Sequence, residues 1–358
     1  MRMMIAGGGT GGHLFPGLAV AEQWQRSGRG EVYFVGSRFG IEARVIPNHG
    51  YPFLGLPVRG VRGRGVRGWM EFALHLPPTL YRCWRVQREW GPDVVVGLGG
   101  YSSVPVVLVA WLRRLPVVLL EQNAHPGLAN RILSRVATRV CTTFAESARY
   151  FPAGKAVHTG NPVRRFEPKS GGGRSRGNSF TVLVIGGSQG ARSINRAVVE
   201  AAPVLARAIP ELRWMHQTGL LDESWVRAEY EKHRVHAEVH GFIDDMASAY
   251  AAADLVICRA GASTLAELAL VGVPAVLIPY PFAADNHQQR NAESWLHEGA
   301  AEMILDRDLN PANLCETVLR LVRNPDRFRA MADNARRLAR PEAAEAVARV
   351  CEEVAGQR

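Results

Sequence analysis

Residues 7–13 read GGGTGGH, five glycines in six positions followed by a histidine. Glycine lets a backbone approach a ligand closely, and the free amides at a helix start favour negative charge. An imidazole placed there, with an ordinary pKa near ~6.5, is suited to general-base work beside a bound ligand. Two later stretches have complementary chemistry. Residues 260–267 (AGASTLAE) set small side chains at a helix start, where amides stay free for a diphosphate, with Glu267 one turn on to accept hydrogen bonds from a ribose. Thr264 and Glu267 also fit a capping box, which is their structural reading. Residues 285–291 (DNHQQRN) are a dense polar run whose amides suit sugar hydroxyls, a solvated loop being the alternative.

Gly7, Gly9 and Gly12 satisfy G-x-G-x-x-G, so a dinucleotide enzyme has to be weighed. That fingerprint wants an acidic residue about 20 positions on. The second strand instead ends Gly36-Ser37-Arg38, with no carboxylate at its tip, although Arg38 could serve a 2′-phosphate. The nicotinamide reading is therefore the weaker one, and a purely structural turn leaves His13 unexplained.

The elements that must hold these groups follow from pattern. Residues 3–6 (MMIA) predict a strand that feeds the glycine turn and then a helix, with Pro16 in its first turn and Leu14, Leu18 and Ala21 on one face. Further strands are expected at 32–36, 93–97 and 116–120, with helices at 104–112 and 127–136. Trp69, Phe72, Leu76, Leu80 and Trp84 mark an apolar helical face that Pro77-Pro78 should break or kink. The second half repeats the scheme. Residues 180–185 (FTVLVI) run into GGSQGAR, and strands are expected at 212–217, 237–240, 254–258 and 275–279. Alternating strands and helices predict an α/β fold of two Rossmann-like, doubly wound parallel-sheet domains facing a cleft that holds the ligand. Residues 170–179, rich in glycine and polar side chains, read as a flexible loop near the domain join. The expected domains are 1–161 and 162–340, with a C-terminal helix over 341–358 packing back on the first.

A chain of 358 residues with 47% apolar content can build two full cores. Five cysteines lie scattered without metal-like spacing, as in a reducing compartment. The first residues enter a strand directly, which reads as no signal peptide. No apolar run reaches the ~18 residues of a spanning helix, so the chain is expected to be soluble or to sit on a membrane surface. A formal charge of +10 calls for an anionic partner. Arg59, Arg62, Arg64 and Arg67, spaced by glycines and followed by Trp69 and Phe72, suit an anionic membrane interface; a basic loop beside a packed helix is the alternative.

Taken together, GGGTGGHLFPGLAVA, GLGGYSSVP, EQNAHPGLAN, GNPVR, VIGGSQGARSIN, FIDDM, CRAGASTLAEL and HQQRNA resemble, in order and along nearly the whole chain, the MurG family. These are glycosyltransferase-B enzymes, the N-acetylglucosaminyltransferases of peptidoglycan synthesis. The resemblance implies inverting, metal-independent transfer of N-acetylglucosamine from its UDP donor to the 4-hydroxyl of the muramyl sugar of lipid I. The product would be lipid II, made without a cofactor at the cytoplasmic face of the bacterial plasma membrane by a peripheral protein that binds no nucleic acid. Other cell-wall synthesis proteins are possible partners. His13 would be the catalytic base. Thr10, Gly11, Gly12 and Asn123 would line the donor sugar, with Arg164 and Ser188 as further donor contacts. Ile243 would meet uracil through its backbone, Ala262, Ser263, Thr264, Leu265, Ala266 and Glu267 would hold phosphate and ribose, and Gln288 the sugar hydroxyls. Tyr101, His125 and Asn130 would face the acceptor, and Arg62, Arg64, Arg67, Trp69 and Phe72 the membrane. Ala260 stands where the family commonly has serine, which removes no proposed catalytic group. The rival readings are a glycosyltransferase with another lipid acceptor, such as a diacylglycerol, and a non-catalytic UDP-sugar-binding protein.

Overall fold

Short runs of Val, Ile, Leu and Met build two all-parallel sheets, each buried on both faces as parallel strands must be. The computed structural model describes residues 1–58, 65–163, 179–187 and 189–357, and of 65–69 and 71–73 the backbone alone. The chain forms two compact units, Met1–Arg164 with Arg340–Arg358, and Arg165–Ala339.

The first unit contains β1 (Arg2–Ala6), α1 (Gly11–Arg26), β2 (Glu31–Ser37), α2 (Glu42–Asn48), β3 (Phe53–Leu56), α3 (Gly65–Trp90), β4 (Val94–Gly97), α4 (Val104–Leu112), β5 (Val117–Glu121), α5 (Leu128–Leu133), β6 (Arg139–Thr142) and β7 (Ala156–His158). Its strand order is β3-β2-β1-β4-β5-β6-β7. The order reverses direction between β1 and β4, and in such sheets ligands gather at the carboxyl ends of the strands beside that reversal. The glycine turns 7–12 and 97–100 both leave the sheet at this point.

The second unit contains β8 (Phe180–Ile185), α6 (Arg192–Ala208), β9 (Leu212–Gln217), α7 (Glu223–Lys232), β10 (Ala237–His240), α8 (Met246–Ala252), β11 (Leu255–Cys258), α9 (Ala262–Val271), β12 (Ala275–Leu277), α10 (His287–His297), β13 (Ala301–Met303), α11 (Pro311–Val322) and α12 (Pro325–Arg337). Its order, β10-β9-β8-β11-β12-β13, places the reversal between β8 and β11. The turn 186–191 and the start of α9 follow those two strands. A last helix, α13 (Ala343–Gly356), belongs to the first unit and packs on α1. Arg29 holds it there, donating to both carboxylate oxygens of Glu345 (2.9 and 2.7 Å) and to Glu352 (2.9 Å).

Two local expectations are corrected and one alternative is narrowed. Pro77 and Pro78 do not interrupt α3, which continues through them as one helix. The Thr79 hydroxyl donates to the His75 carbonyl at 2.6 Å, a side-chain bond to the turn before it. Pro16 is not in the first turn of α1: the helix starts five residues earlier, at Gly11, so His13 itself lies in that turn. The polar run at 285–291 is not a loop throughout, since α10 begins at His287. Among the described residues no helix is long and apolar enough to cross a membrane.

Candidate active site

In the first unit, Gly7, Gly8 and Gly9 take φ values of +139°, +141° and +87°, which other residues rarely adopt. This lets the chain turn from β1 into α1 with Thr10 as the extended residue ahead of the helix. Thr10 does not cap the backbone. Its Oγ1 lies 2.9 Å from His13 Nδ1. The contact is compatible with the tautomer in which Nδ1–H donates to Thr10 and Nε2 is the basic nitrogen. Gly12 is exposed and a Cβ built there meets nothing within 4 Å. The amides of Gly11 and Gly12 lie ahead of the first turn's backbone hydrogen bonds, which run from His13 and Leu14 N–H to Thr10 O (3.2 and 3.1 Å).

The turn after β4 closes on the same place. A Cβ on Gly99 would lie 3.4 Å from His13 Cδ2 and 3.2 Å from Asn130 Nδ2, and one on Gly9 would lie 3.9 Å from the Tyr101 hydroxyl. His13, Tyr101 and Asn130 are therefore gathered around two glycines at the sheet's reversal. Asn130 is buried, and its Nδ2 donates to Leu120 O (2.8 Å) and Glu121 Oε2 (3.0 Å), while Oδ1 has no hydrogen-bond partner among the described residues. Glu121 also accepts from the amides of Asn123 (3.0 Å) and Gly127 (3.1 Å) and from Asn123 Nδ2 (3.3 Å). Burial raises its carboxyl pKa, against the lowering effect of these donors. Glu121 thus shapes the 122–128 loop, where His125 packs edge-on against Tyr150.

The tip of β2 needs a further correction. A carboxylate does stand there, supplied by Glu42 from α2. It is fully buried and accepts from Gly9 N–H (2.8 Å) and Ser37 N–H (2.9 Å). The pattern reading stopped at Arg38 and missed it, because the group returns from the next helix.

In the second unit, α9 starts at Ala262 after Gly261 with no side chain capping it. The capping-box reading of Thr264 and Glu267 fails, since both lie inside the helix. Glu267 instead accepts from the buried Tyr250 hydroxyl at 3.0 Å. Ser263 Oγ is buried without a hydrogen-bond partner among the described residues. Leaving such a hydroxyl unsatisfied costs ~1–3 kcal/mol. Leu265 is a core side chain, and its amide donates to Gly261 O at 3.0 Å, inside the helix. Just before α9, Arg259 donates to Asp306 (2.5 Å), Ser193 (2.8 Å) and the carbonyls of Ile278 and Pro279, a clasp the sequence did not reveal. Gln288 Oε1 accepts from Tyr280 N–H at 2.9 Å, fixing the start of α10 to the chain after β12. Asp285 and Asn286 precede it with φ of +51° and +53°. Ile243 lies in the irregular segment between β10 and α8, outside the sheet ladder, and Asp245 caps α8 through Ser248 N–H at 3.1 Å.

Arg62, Arg64, Arg164 and Ser188 lie outside the described residues. Arg67, Trp69 and Phe72 are placed on α3 by their backbone.

Two doubly wound parallel sheets, each with a glycine turn at its reversal, are here the two domains of a glycosyltransferase class. The chain belongs to glycosyltransferase family 28: residues 3–142 match its N-terminal domain and 181–349 its C-terminal domain. Among its relatives is the UDP-N-acetylglucosamine--N-acetylmuramyl-(pentapeptide) pyrophosphoryl-undecaprenol N-acetylglucosamine transferase of Anaeromyxobacter dehalogenans, 46% identical over 100% of this chain and 94% of that one. The Myxococcus xanthus protein of the same name is 45% identical over 98% and 92%. MurG of Acinetobacter baumannii, a solved structure, is similar with a TM-score of 0.81 and 33% identity over 98% of this chain and 99% of its own.

Proposed function

We infer that the protein is a UDP-N-acetylglucosamine-dependent hexosyltransferase that makes lipid II, moving N-acetylglucosamine to the 4-hydroxyl of the N-acetylmuramyl-pentapeptide on undecaprenyl diphosphate. The observation that carries this reading is His13, held through Thr10 at a glycine-lined helix start, in a chain alike over its full length to transferases of that name.

The chemistry follows from the groups present. A sugar hydroxyl is a weak nucleophile, and removing its proton as the bond to C1 forms is worth ~10²–10⁴-fold. His13 Nε2 takes that proton while Thr10 holds Nδ1–H. As the new O–C1 bond forms, the bond from C1 to the UDP oxygen breaks on the opposite face, which inverts the anomeric centre. The diphosphate then carries the developing charge. The free amides of α9 and the unsatisfied Ser263 hydroxyl are suited to receive it, in the manner of other preorganised donor sets. Glu267 is suited to the ribose diol and Gln288 to the sugar hydroxyls. Asn123 is the donor-sugar contact of this loop, and Tyr101, His125 and Asn130 are the acceptor side of this reading.

A lipid-linked acceptor stays in the bilayer, so the protein must come to it. Met70, Leu74, Tyr81 and Trp84 are exposed along α3, and Trp111 and Leu112 are exposed at the end of α4, which packs on α3. This apolar strip, continuing the basic segment 59–67, is the proposed docking face on the cytoplasmic leaflet.

Radiolabelled UDP-N-acetylglucosamine offered with lipid I and, separately, with diacylglycerol tests the reading. Label entering lipid I alone is the expected result. Label in diacylglycerol would reassign the acceptor, and donor binding without any turnover would make the protein a UDP-sugar binder. His13→Ala should lose at least ~10²-fold in kcat while donor affinity survives.

A further inference from the structure

Glu42 belongs to none of the groups used above, yet it is the most enclosed carboxylate next to them. Its side chain occupies a slot bounded by three glycines. A Cβ on Gly8 would fall 2.5 Å from its Cδ, one on Gly36 2.8 Å from its Cγ, and one on Gly40 would clash with Oε2. The side chain is wholly shielded from water. Among the described residues no cation pairs with it, and its two oxygens are each taken by one backbone amide, Gly9 at 2.8 Å and Ser37 at 2.9 Å. Ser37 is itself fixed, donating from Oγ to Val58 O at 2.7 Å. The carboxylate is thus a rigid link from β2 to the residue immediately before Thr10.

A buried carboxylate is costly to retain for packing alone, since an apolar side chain of similar size would fill space without a desolvation penalty. What it supplies here is a fixed position for the Gly9 amide, in a turn whose φ of +87° and flanking glycines would otherwise leave many conformers open. We propose that Glu42 is a positioning residue for catalysis: by holding Gly9 it sets Thr10, and through Thr10 the tautomer and aim of His13. The same two bonds also occupy the carboxylate that a dinucleotide site would turn toward a ribose, so the glycine turn of the first unit serves the base and not a nucleotide. This inference rests on the assignment of His13 as the base.

The closing experiment is a double-mutant cycle on the full chain, with kcat, donor KM and UDP affinity measured for wild type, Glu42→Gln, His13→Ala and the double variant. Glutamine is nearly isosteric but offers one acceptor and one N–H₂, so one of the two amides must lose its bond. In Glu42→Gln, kcat is expected to fall at least 10-fold, with donor KM and UDP affinity within 2-fold of wild type. In the His13→Ala background the same change is expected to cost less than 2-fold, because the group it positions is gone. Equal losses in both backgrounds, or wild-type kcat in Glu42→Gln, overturn the proposal. Should Glu42→Gln not fold, Glu42→Asp, one methylene too short to span both amides, takes its place in the same cycle. Amide exchange at Gly9 of the wild-type protein is read independently of turnover. Protection is expected, and rapid exchange refutes the link whatever the enzyme's substrate proves to be. An inactive wild type with a protected Gly9 amide would refute the base assignment, and with it the catalytic role given to Glu42, while leaving the link itself standing.

Discussion

His216 in β9 is fully buried, and its hydrogen bonds define its protonation state. Asn195 Nδ2 donates to Thr218 O and to Asp222 (both 2.9 Å), so Asn195 Oδ1 faces His216 Nε2, at 3.1 Å, as an acceptor. Nε2 therefore carries the proton and Nδ1 accepts from the Tyr230 hydroxyl at 2.9 Å. With no room for a second proton, burial lowers the imidazole pKa to about 3, the charge of Asp222 opposing the shift. In the unfolded chain the same group titrates near ~6.5. Below that value the unfolded state binds a proton the folded state refuses, so stability falls with acid until the pH nears 3. Between pH 7 and pH 5 this one group should cost the second unit about 2 kcal/mol, at ~1.4 kcal/mol per pH unit once the free imidazole is charged. Urea unfolding at the two pH values measures it, with the two units fitted as separate transitions. His216→Gln is the control, because its amide can donate to Asn195 and accept from Tyr230 without titrating. Its pH dependence should be flatter than wild type by that amount. An unchanged slope in His216→Gln would refute the reasoning. The effect bears on function because Gly190, in the turn after β8, packs directly on the Thr218 carbonyl that this network holds.

Ser263→Ala should leave stability unchanged or slightly raised, since the hydroxyl has no partner to lose, while weakening UDP affinity about 5–10-fold by calorimetric titration. Arg29→Ala should destabilise the first unit by ~1–3 kcal/mol in thermal or urea unfolding, because Glu345 then keeps only Gln23 and Arg349 as partners and Glu352 loses Arg29. The hydrogen bonds from Arg29 lower the Glu345 carboxyl to about 2, so the stability from this pair is present above the ordinary carboxylate pKa and is lost as pH falls toward 2. Leu74→Glu combined with Trp84→Glu should reduce sedimentation with anionic vesicles several-fold, with soluble UDP affinity unaltered.

The parts of the site legible in the sequence are those a single continuous segment encodes. The glycine turn with His13, the bare start of α9 and the polar run leading into α10 all announce themselves through spacing. What escaped was assembled across elements. Glu42 reaches the tip of β2 from the next helix, Arg259 is clasped by residues from α6 and the segment before α11, and Tyr250 meets Glu267 from α8. The strands β3, β6, β7 and β13 were not foreseen, because glycine, arginine, histidine or glutamate interrupts their few apolar residues, unlike the continuous apolar runs of β11 and β12. Pro77-Pro78 misled for a different reason. Proline removes two helical hydrogen bonds, but packing of α3 on α4 keeps the helix together, and the energy of that contact is invisible in a local pattern.

The chain passes from the first unit to the second near residue 164 and returns near residue 340, so the second unit is an insertion within the first. During vectorial synthesis on a ribosome, residues 165–339 are a contiguous length that can close its own sheet as it emerges. The unit carrying His13 must wait: α13 supplies Val347, Ala348, Cys351 and Val354 to the core around β1 and α1, and these are made only after the whole second unit. The half of the enzyme that is translated first is therefore the half that matures last, and a nascent chain arrested before α13 would present an unsealed apolar face to chaperones.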